Sequence, residues 1–303
     1  MQKESRLKSL LRIFISLESL IAGTLIRIAG YLRQFLTLRW LNDEAADPGE
    51  FGLNPLIVSF LSRDGLMLRG SWFGNNTDRP VIILLHGIAG HRATPAQRVF
   101  GIVRELSDQG FNILTFDFRA HGESEGGHTS VGCYEKNDLL GAIDFIRQRG
   151  LTGKIGVLGF SMGAAISILT AAESTDIAAV VADSSFIDIV SLIKGKFSRW
   201  KFLSRPLIPL LVYLSRALYR FDFTRVKPLE AIRSINVPVF IIHGGCDRVI
   251  PVEHAYKLNN ACQNLNNLLW VVPGASHTGA FFSHTEEYLS RINNFFHKAL
   301  AAT

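Results

Sequence analysis

Six short apolar runs constrain the fold of this chain more than any other feature. Val81–Leu85, Asn112–Phe116, Ile155–Leu158, Ala178–Ala182, Val239–Ile242 and Leu268–Val272 are four or five residues long, and several are rich in Val and Ile. Runs of this kind suit strands buried on both faces, as in a parallel sheet. Between or after them lie stretches with helical periodicity: Ala96–Ser107, Glu135–Arg149, Met162–Glu173, Val252–Cys262 and Thr285–Leu300. Ahead of them, Leu56–Leu61 and Leu66–Trp72 flank Arg63-Asp64-Gly65, and Asp-Gly between two strand-like runs reads as a hairpin. A hairpin followed by repeated strand–helix units predicts an α/β protein whose mostly parallel sheet is covered by helices.

One interval breaks the rhythm. From about residue 184 to 236 the chain is far longer than a crossover requires, and it holds Phe186, Phe197, Trp200, Phe202, Tyr213, Tyr219 and Phe221 interleaved with Lys and Arg. That is too apolar for a solvated loop, and it predicts a helical cap over the C-terminal edge of the sheet. The same residues also suit a buried cap core that touches no substrate.

The net charge of +6 is concentrated at the start of the chain. Residues 1–42 hold seven cations, including Arg12, Arg27 and Arg39, against Glu4 and Glu18, so the remainder is nearly neutral. Nucleic acid is therefore not an expected partner. The same segment is dominated by Leu, Ile and Phe, with polar or small residues recurring every three or four positions from Lys8 to Gln34. This is the pattern of an amphipathic helix. Glu18 and Arg27 interrupt the run of roughly 20 apolar residues that a membrane span needs, which favours a helix lying in a membrane interface over a tilted span. Packing on the protein's own body is the competing reading. Membrane association, on the cytoplasmic face, is the expected location, or cytoplasm if the helix packs inward. Residues 43–54 are polar, acidic and contain Pro48-Gly49, as a linker would. Cys133, Cys246 and Cys262 have no ligand or pairing spacing, and the nine histidines show no metal-binding pattern. No metal, cofactor or disulfide is expected.

Gly159-Phe160-Ser161-Met162-Gly163 follows one predicted strand and opens the next helix. A serine on such a turn is held in a strained conformation that needs small neighbours, and the helix N-terminus offers amides where an oxyanion could form. Serine also needs a base, itself oriented by an acid. Asp247 lies just past the strand Val239–Ile242, and His277 just past Leu268–Val272. In an open parallel sheet those strand ends converge on one crevice. Asp183, at another strand end, is the rival acid. His86-Gly87-Ile88-Ala89-Gly90 follows the first central strand, and its glycines allow backbone close to a substrate. The amides of Ile88 and Met162 are the expected oxyanion donors, within one residue.

Strand-HGIAG, FDFRAHGES, GFSMG, HGGCDRVIP and GASH, in this order, resemble the α/β-hydrolase superfamily from about Leu56 to Leu300. More narrowly they resemble serine-aminopeptidase-like hydrolase domains, including relatives with an N-terminal membrane segment. The resemblance implies an eight-stranded sheet, a triad of Ser161, Asp247 and His277, and oxyanion amides at Ile88 and Met162. It has one departure: relatives commonly carry Arg-Gly-His-Gly where this chain has Arg119-Ala120-His121-Gly122.

The remaining groups read as structural. His86, His121 and His243 suit turns and packing, His254, His284 and His297 the surface, and Cys246 a small packing position. His91 and His128 are loop residues without an evident partner. The expected reaction is hydrolysis of an acyl-chain or lipid-like ester or thioester through an acyl-enzyme. A peptidase or amidase and a non-catalytic membrane-tethered scaffold are the alternatives. The oligomeric state is not legible.

Overall fold

In the computed structural model, residues 47–74, 78–88, 90–196 and 201–301 are described, together with Gly30. The N-terminal helix expected over residues 1–42 thus falls outside the described residues. All elements below belong to the unit Arg39–Thr303.

Eight strands form one sheet: β1 (Leu56–Leu61), β2 (Met67–Phe73), β3 (Val81–Leu85), β4 (Asn112–Phe116), β5 (Ile155–Phe160), β6 (Ile177–Asp183), β7 (Val239–Gly244) and β8 (Leu268–Val272). Their spatial order is β1-β2-β4-β3-β5-β6-β7-β8. β1 and β2 form the antiparallel hairpin, β2 pairs antiparallel with β4, and every other pairing is parallel. β5 and β7 run two residues beyond the apolar runs that announce them. Parallel pairing continues to Phe160↔Asp183 and Gly244↔Val272, so the strands carry the chain to the edge of the motif loops.

Both faces of the sheet are covered. Along β3, Val81, Ile83 and Leu85 belong to one core, while Ile82 and Leu84 belong to the other. That is the alternation of a pleated strand with no solvent face. The first core packs on α2 (Glu135–Gln148), α3 (Met162–Ala171) and α7 (Glu253–Ala261) through Leu139, Ile143, Ile166 and Leu258. The second packs on α1 (Ala96–Asp108) and α9 (Thr285–Leu300) through Ile102, Leu106, Tyr288, Ile292 and Phe296. Tyr288, Ile292, Phe295, Phe296 and Leu300 recur in steps that place one apolar stripe on the sheet. Burying each such side chain contributes about 1.5–3 kcal/mol.

Between β6 and β7 lie α4 (Ile189–Lys196), α5 (Lys201–Tyr219), the short α6 (Pro228–Ala231) and two 3₁₀ turns. A short α8 (Ala280–Ser283) precedes α9. The last part of the segment read as a linker is ordered against the domain. Asp47 caps a 3₁₀ turn at Pro48–Phe51, and the Phe51 ring lies 5.1 Å from that of Phe100 on α1. Among the described residues no helix is long and apolar enough to cross a membrane.

Candidate active site

The parallel strands all point their C-terminal ends to one edge, and four of those ends carry the site. β5 ends at Phe160 and α3 begins at Met162, leaving Ser161 alone at the turn with φ 53° and ψ −109°. A non-glycine residue there costs on the order of 1–3 kcal/mol and persists only where the surroundings hold it. They do: the Ser161 N–H donates to the Asp183 carbonyl at 2.8 Å, and its carbonyl accepts from the Ala165 N–H at 3.1 Å. Close approach also dictates Gly163, where a Cβ would stand 2.6 Å from the Leu85 carbonyl oxygen and 2.7 Å from that of His86.

The loops after β7 and β8 bring two further groups to this serine. His277 Nε2 stands 2.9 Å from Ser161 Oγ, and its Nδ1 stands 2.7 Å from Asp247 Oδ2. The carboxylate accepts only, so Nδ1 carries the ring proton and a neutral His277 presents Nε2 as acceptor to the serine hydroxyl. Asp247 Oδ1 accepts from the N–H groups of Val249 at 2.8 Å and Ile250 at 2.9 Å. Burial pushes the Asp247 carboxyl up, but the His277 hydrogen bond and those two amides outweigh it and hold the group below its ordinary value. Ser161 and His277, 116 residues apart, and His277 and Asp247, 30 apart, thus form one hydrogen-bonded line.

The rival acid is placed elsewhere. Asp183 is fully buried, its Oδ2 accepting from the Tyr288 hydroxyl at 3.0 Å and its Oδ1 from Ser184 Oγ at 2.9 Å. Burial raises its pKa. It belongs to a polar cluster beneath the His277 loop that no sequence motif marks. Thr278, at φ 49°, donates its N–H to Ser184 Oγ at 3.1 Å and accepts at its carbonyl from the buried Arg98 at 3.0 Å. The Arg98 guanidinium in turn lies 3.9 Å above the Phe160 ring.

The glycine loop after β3 lies against the serine from the other side. A Cβ on Gly87 would meet the Phe160 carbonyl oxygen and Ser161 Cβ, each at 3.3 Å. Buried His86 fixes this loop. Its Nε2 accepts from the Phe118 N–H at 3.0 Å, so Nδ1 carries the proton and donates to the Gly87 carbonyl at 2.7 Å. Burial, with His121 nearby, lowers its pKa well below the ordinary value and keeps it neutral. The Gly90 N–H also donates to the Gly87 carbonyl, at 3.2 Å. In a trans peptide C=O and N–H point opposite ways, so the Ile88 N–H is turned away from those partners. Met162 is the first residue of α3, where a helix leaves its N–H groups without intrahelical acceptors.

The family model for the α/β hydrolase fold matches residues 80–202. The solved Pyrococcus furiosus esterase Pf2001 superposes with a TM-score of 0.70 at 28% identity, covering 86% of this chain and 98% of that one. The chain has the α/β-hydrolase fold. It is also similar to the uncharacterized protein YfhR of Escherichia coli O157:H7, 28% identical over 255 residues, which covers 80% of this chain and 81% of the relative. Human protein ABHD12B is 29% identical over 209 residues, 65% of this chain and 56% of that protein.

The expectations for His254 and Cys246 are corrected by their surroundings, while His243 holds the packing place expected of it. His254 is buried rather than superficial, because α7 turns it under the insertion, where its Nδ1 accepts from the Ile187 N–H at 3.2 Å. Cys246 is exposed rather than packed, in the loop that follows β7. His243 is fully buried and donates from Nε2 to the Ile250 carbonyl at 2.8 Å, bracing the Asp247 loop. His128 sits among aromatic rings, 5.1 Å from Tyr219 and stacked on Phe221 at 6.0 Å. Ala120 adopts φ 60°, a conformation in which glycine would carry no steric penalty. Among the described residues no group of three His, Cys, Asp or Glu could hold a metal ion.

Proposed function

We propose that this protein, with its α/β-hydrolase fold, is a serine esterase or thioesterase acting on an acyl-chain or lipid-like substrate. The observation that carries the reading is the line Ser161 Oγ, His277 Nε2 and Nδ1, Asp247 Oδ2, with successive separations of 2.9 and 2.7 Å. His277 takes the Ser161 proton as Oγ attacks the acyl carbon, and Asp247 holds the ring tautomer and stabilises the imidazolium. The amides of Ile88 and Met162 receive the oxyanion of the tetrahedral intermediate. His277 then gives its proton to the departing alkoxide or thiolate, leaving an acyl-Ser161. Water, deprotonated by His277, releases the carboxylic acid and restores the serine. The orientation of the Gly87–Ile88 peptide and the position of Met162 at the start of α3 support these donors.

An ester is favoured over a peptide by the likeness to the Pf2001 esterase and by an insertion rich in Leu, Phe and Tyr. The motif resemblance to serine-aminopeptidase-like domains also allows an amide, so the two bonds are compared directly. A panel of acyl esters and thioesters of graded chain length, run beside aminoacyl amides, tests the assignment. The expected result is turnover of the acyl esters or thioesters and not of the amides; turnover confined to the amides contradicts it. The basic, apolar residues 1–42 are proposed to hold the enzyme at a membrane surface, with residues 55–303 as the hydrolase domain and 184–236 as its cap. Removing residues 1–42 is expected to weaken sedimentation with membranes, and unchanged binding contradicts the anchor.

A further inference from the structure

α5 is a helix almost without a buried side. From Pro206 to Tyr219, the fourteen positions whose side chains are described, only Ser215 is buried. Pro206, Pro209, Tyr213, Arg216 and Ala217 are exposed and recur at steps of three and four, with one step of a single residue at the end. These steps trace a single outward stripe. Tyr213 is 67% exposed and Leu218, beside the stripe, 56%. A water-facing stripe ordinarily carries Glu, Lys and Gln. This one carries two prolines, a tyrosine and an alanine with one cation.

The sequence of this stretch is rich in cations, although Asp188 and Asp222 bound it and Asp222 pairs with Arg216. Between Ile189 and Phe221 the chain holds Lys194, Lys196, Arg199, Lys201, Arg205, Arg216 and Arg220, and no Asp or Glu. A two-fold dimer through α5 would set this segment against itself, cation facing cation. Residues 1–42 are also basic, and so are no better a match. An anionic lipid surface complements both features, taking the apolar stripe into its headgroup layer while the cations meet lipid phosphates. The helix is not apolar enough over its length to cross a bilayer.

We propose that α5 docks the enzyme on an anionic lipid surface, as a contact separate from the one proposed for residues 1–42. The insertion leaves the sheet from the end of β6, where the Asp183 carbonyl holds the Ser161 amide. Docking holds whatever bond Ser161 attacks, so its test reads binding and not turnover.

The full chain is floated with vesicles of phosphatidylglycerol or of phosphatidylcholine. The wild type is expected to bind phosphatidylglycerol at least tenfold more tightly, and Tyr213→Asp with Leu218→Asp to lower that binding tenfold or more without changing sedimentation velocity. Undiminished binding by this variant overturns the proposal. So does a wild-type oligomer that the double substitution dissociates while vesicle binding stays the same, which would make a second copy the occupant. A milder variant guards against misfolding: Tyr213→Trp with brominated phosphatidylglycerol. Extra quenching beyond that of the four native tryptophans supports docking, and no extra quenching overturns it.

Discussion

The Ser161 N–H is bonded to the Asp183 carbonyl at 2.8 Å, yet the Asp183 carboxyl accepts from Tyr288 and Ser184 while the serine's base, His277, pairs with Asp247. Backbone and side chain of this one aspartate therefore do different things. The carbonyl helps hold Ser161 in its left-handed turn, and the carboxyl builds the floor under the loop that carries His277.

That division separates two carboxylates by experiment. Asp247→Asn removes the acceptor at His277 Nδ1 and favours the wrong tautomer, which should lower kcat by about 10³–10⁴. Asp183→Asn leaves the hydrogen bond between His277 and Asp247 in place. It should act chiefly on melting temperature, with kcat reduced by less than about tenfold, because the Tyr288 and Ser184 contacts are structural. Steady-state kinetics and thermal melts on both variants check this; equal losses of kcat would contradict it.

The glycine loop makes a second prediction. Gly87→Ala places a methyl 3.3 Å from Ser161 Cβ, so the loop must yield by a few tenths of an ångström. Displacing the Ile88 amide from the oxyanion should cost kcat about 10²–10³ while KM changes little, the mark of a contact made in the transition state. Gly163→Ala presses a methyl on two backbone carbonyls and should impair folding itself. A Gly87→Ala variant that raises KM alone would count against the loop as an oxyanion donor.

Stability should depend on His254 in one direction. Burial lowers its pKa from 6.5, so the folded state binds fewer protons than the unfolded chain below that value. Its contribution is fully present above about pH 6.5 and is lost as pH falls through that window towards the folded pKa. Measured against His254→Gln, which titrates nothing and keeps an acceptor for the Ile187 N–H, the wild type should lose relative stability between pH 7 and 5. Denaturant melts at stepped pH supply the comparison, and a constant difference would contradict it.

How much of this could be read in advance follows from where the signals lie. The parallel sheet was legible because β3 to β7 are buried on both faces and so read as continuous apolar runs, and the hairpin because Asp64-Gly65 marks its turn. Ser161, Asp247 and His277 were legible as strand-end residues, because a parallel sheet gathers those ends without any knowledge of loop geometry. The floor of the site was not. Arg98 meets Thr278 across 180 residues and Tyr288 meets Asp183 across 105, and each alone is an ordinary polar residue on an amphipathic helix. His254 likewise looks superficial until the insertion is seen to cover α7, and Ala120 reads as a neutral exchange until its positive φ is known.

The account rests on Ser161 as a nucleophile raised by His277. A fluorophosphonate probe, followed by intact mass and peptide mapping, examines this most directly. The wild type should gain one adduct, on the peptide carrying Ser161, and Ser161→Ala should gain none while melting as the wild type does. An unlabelled wild type, or an adduct that persists in Ser161→Ala, would contradict it.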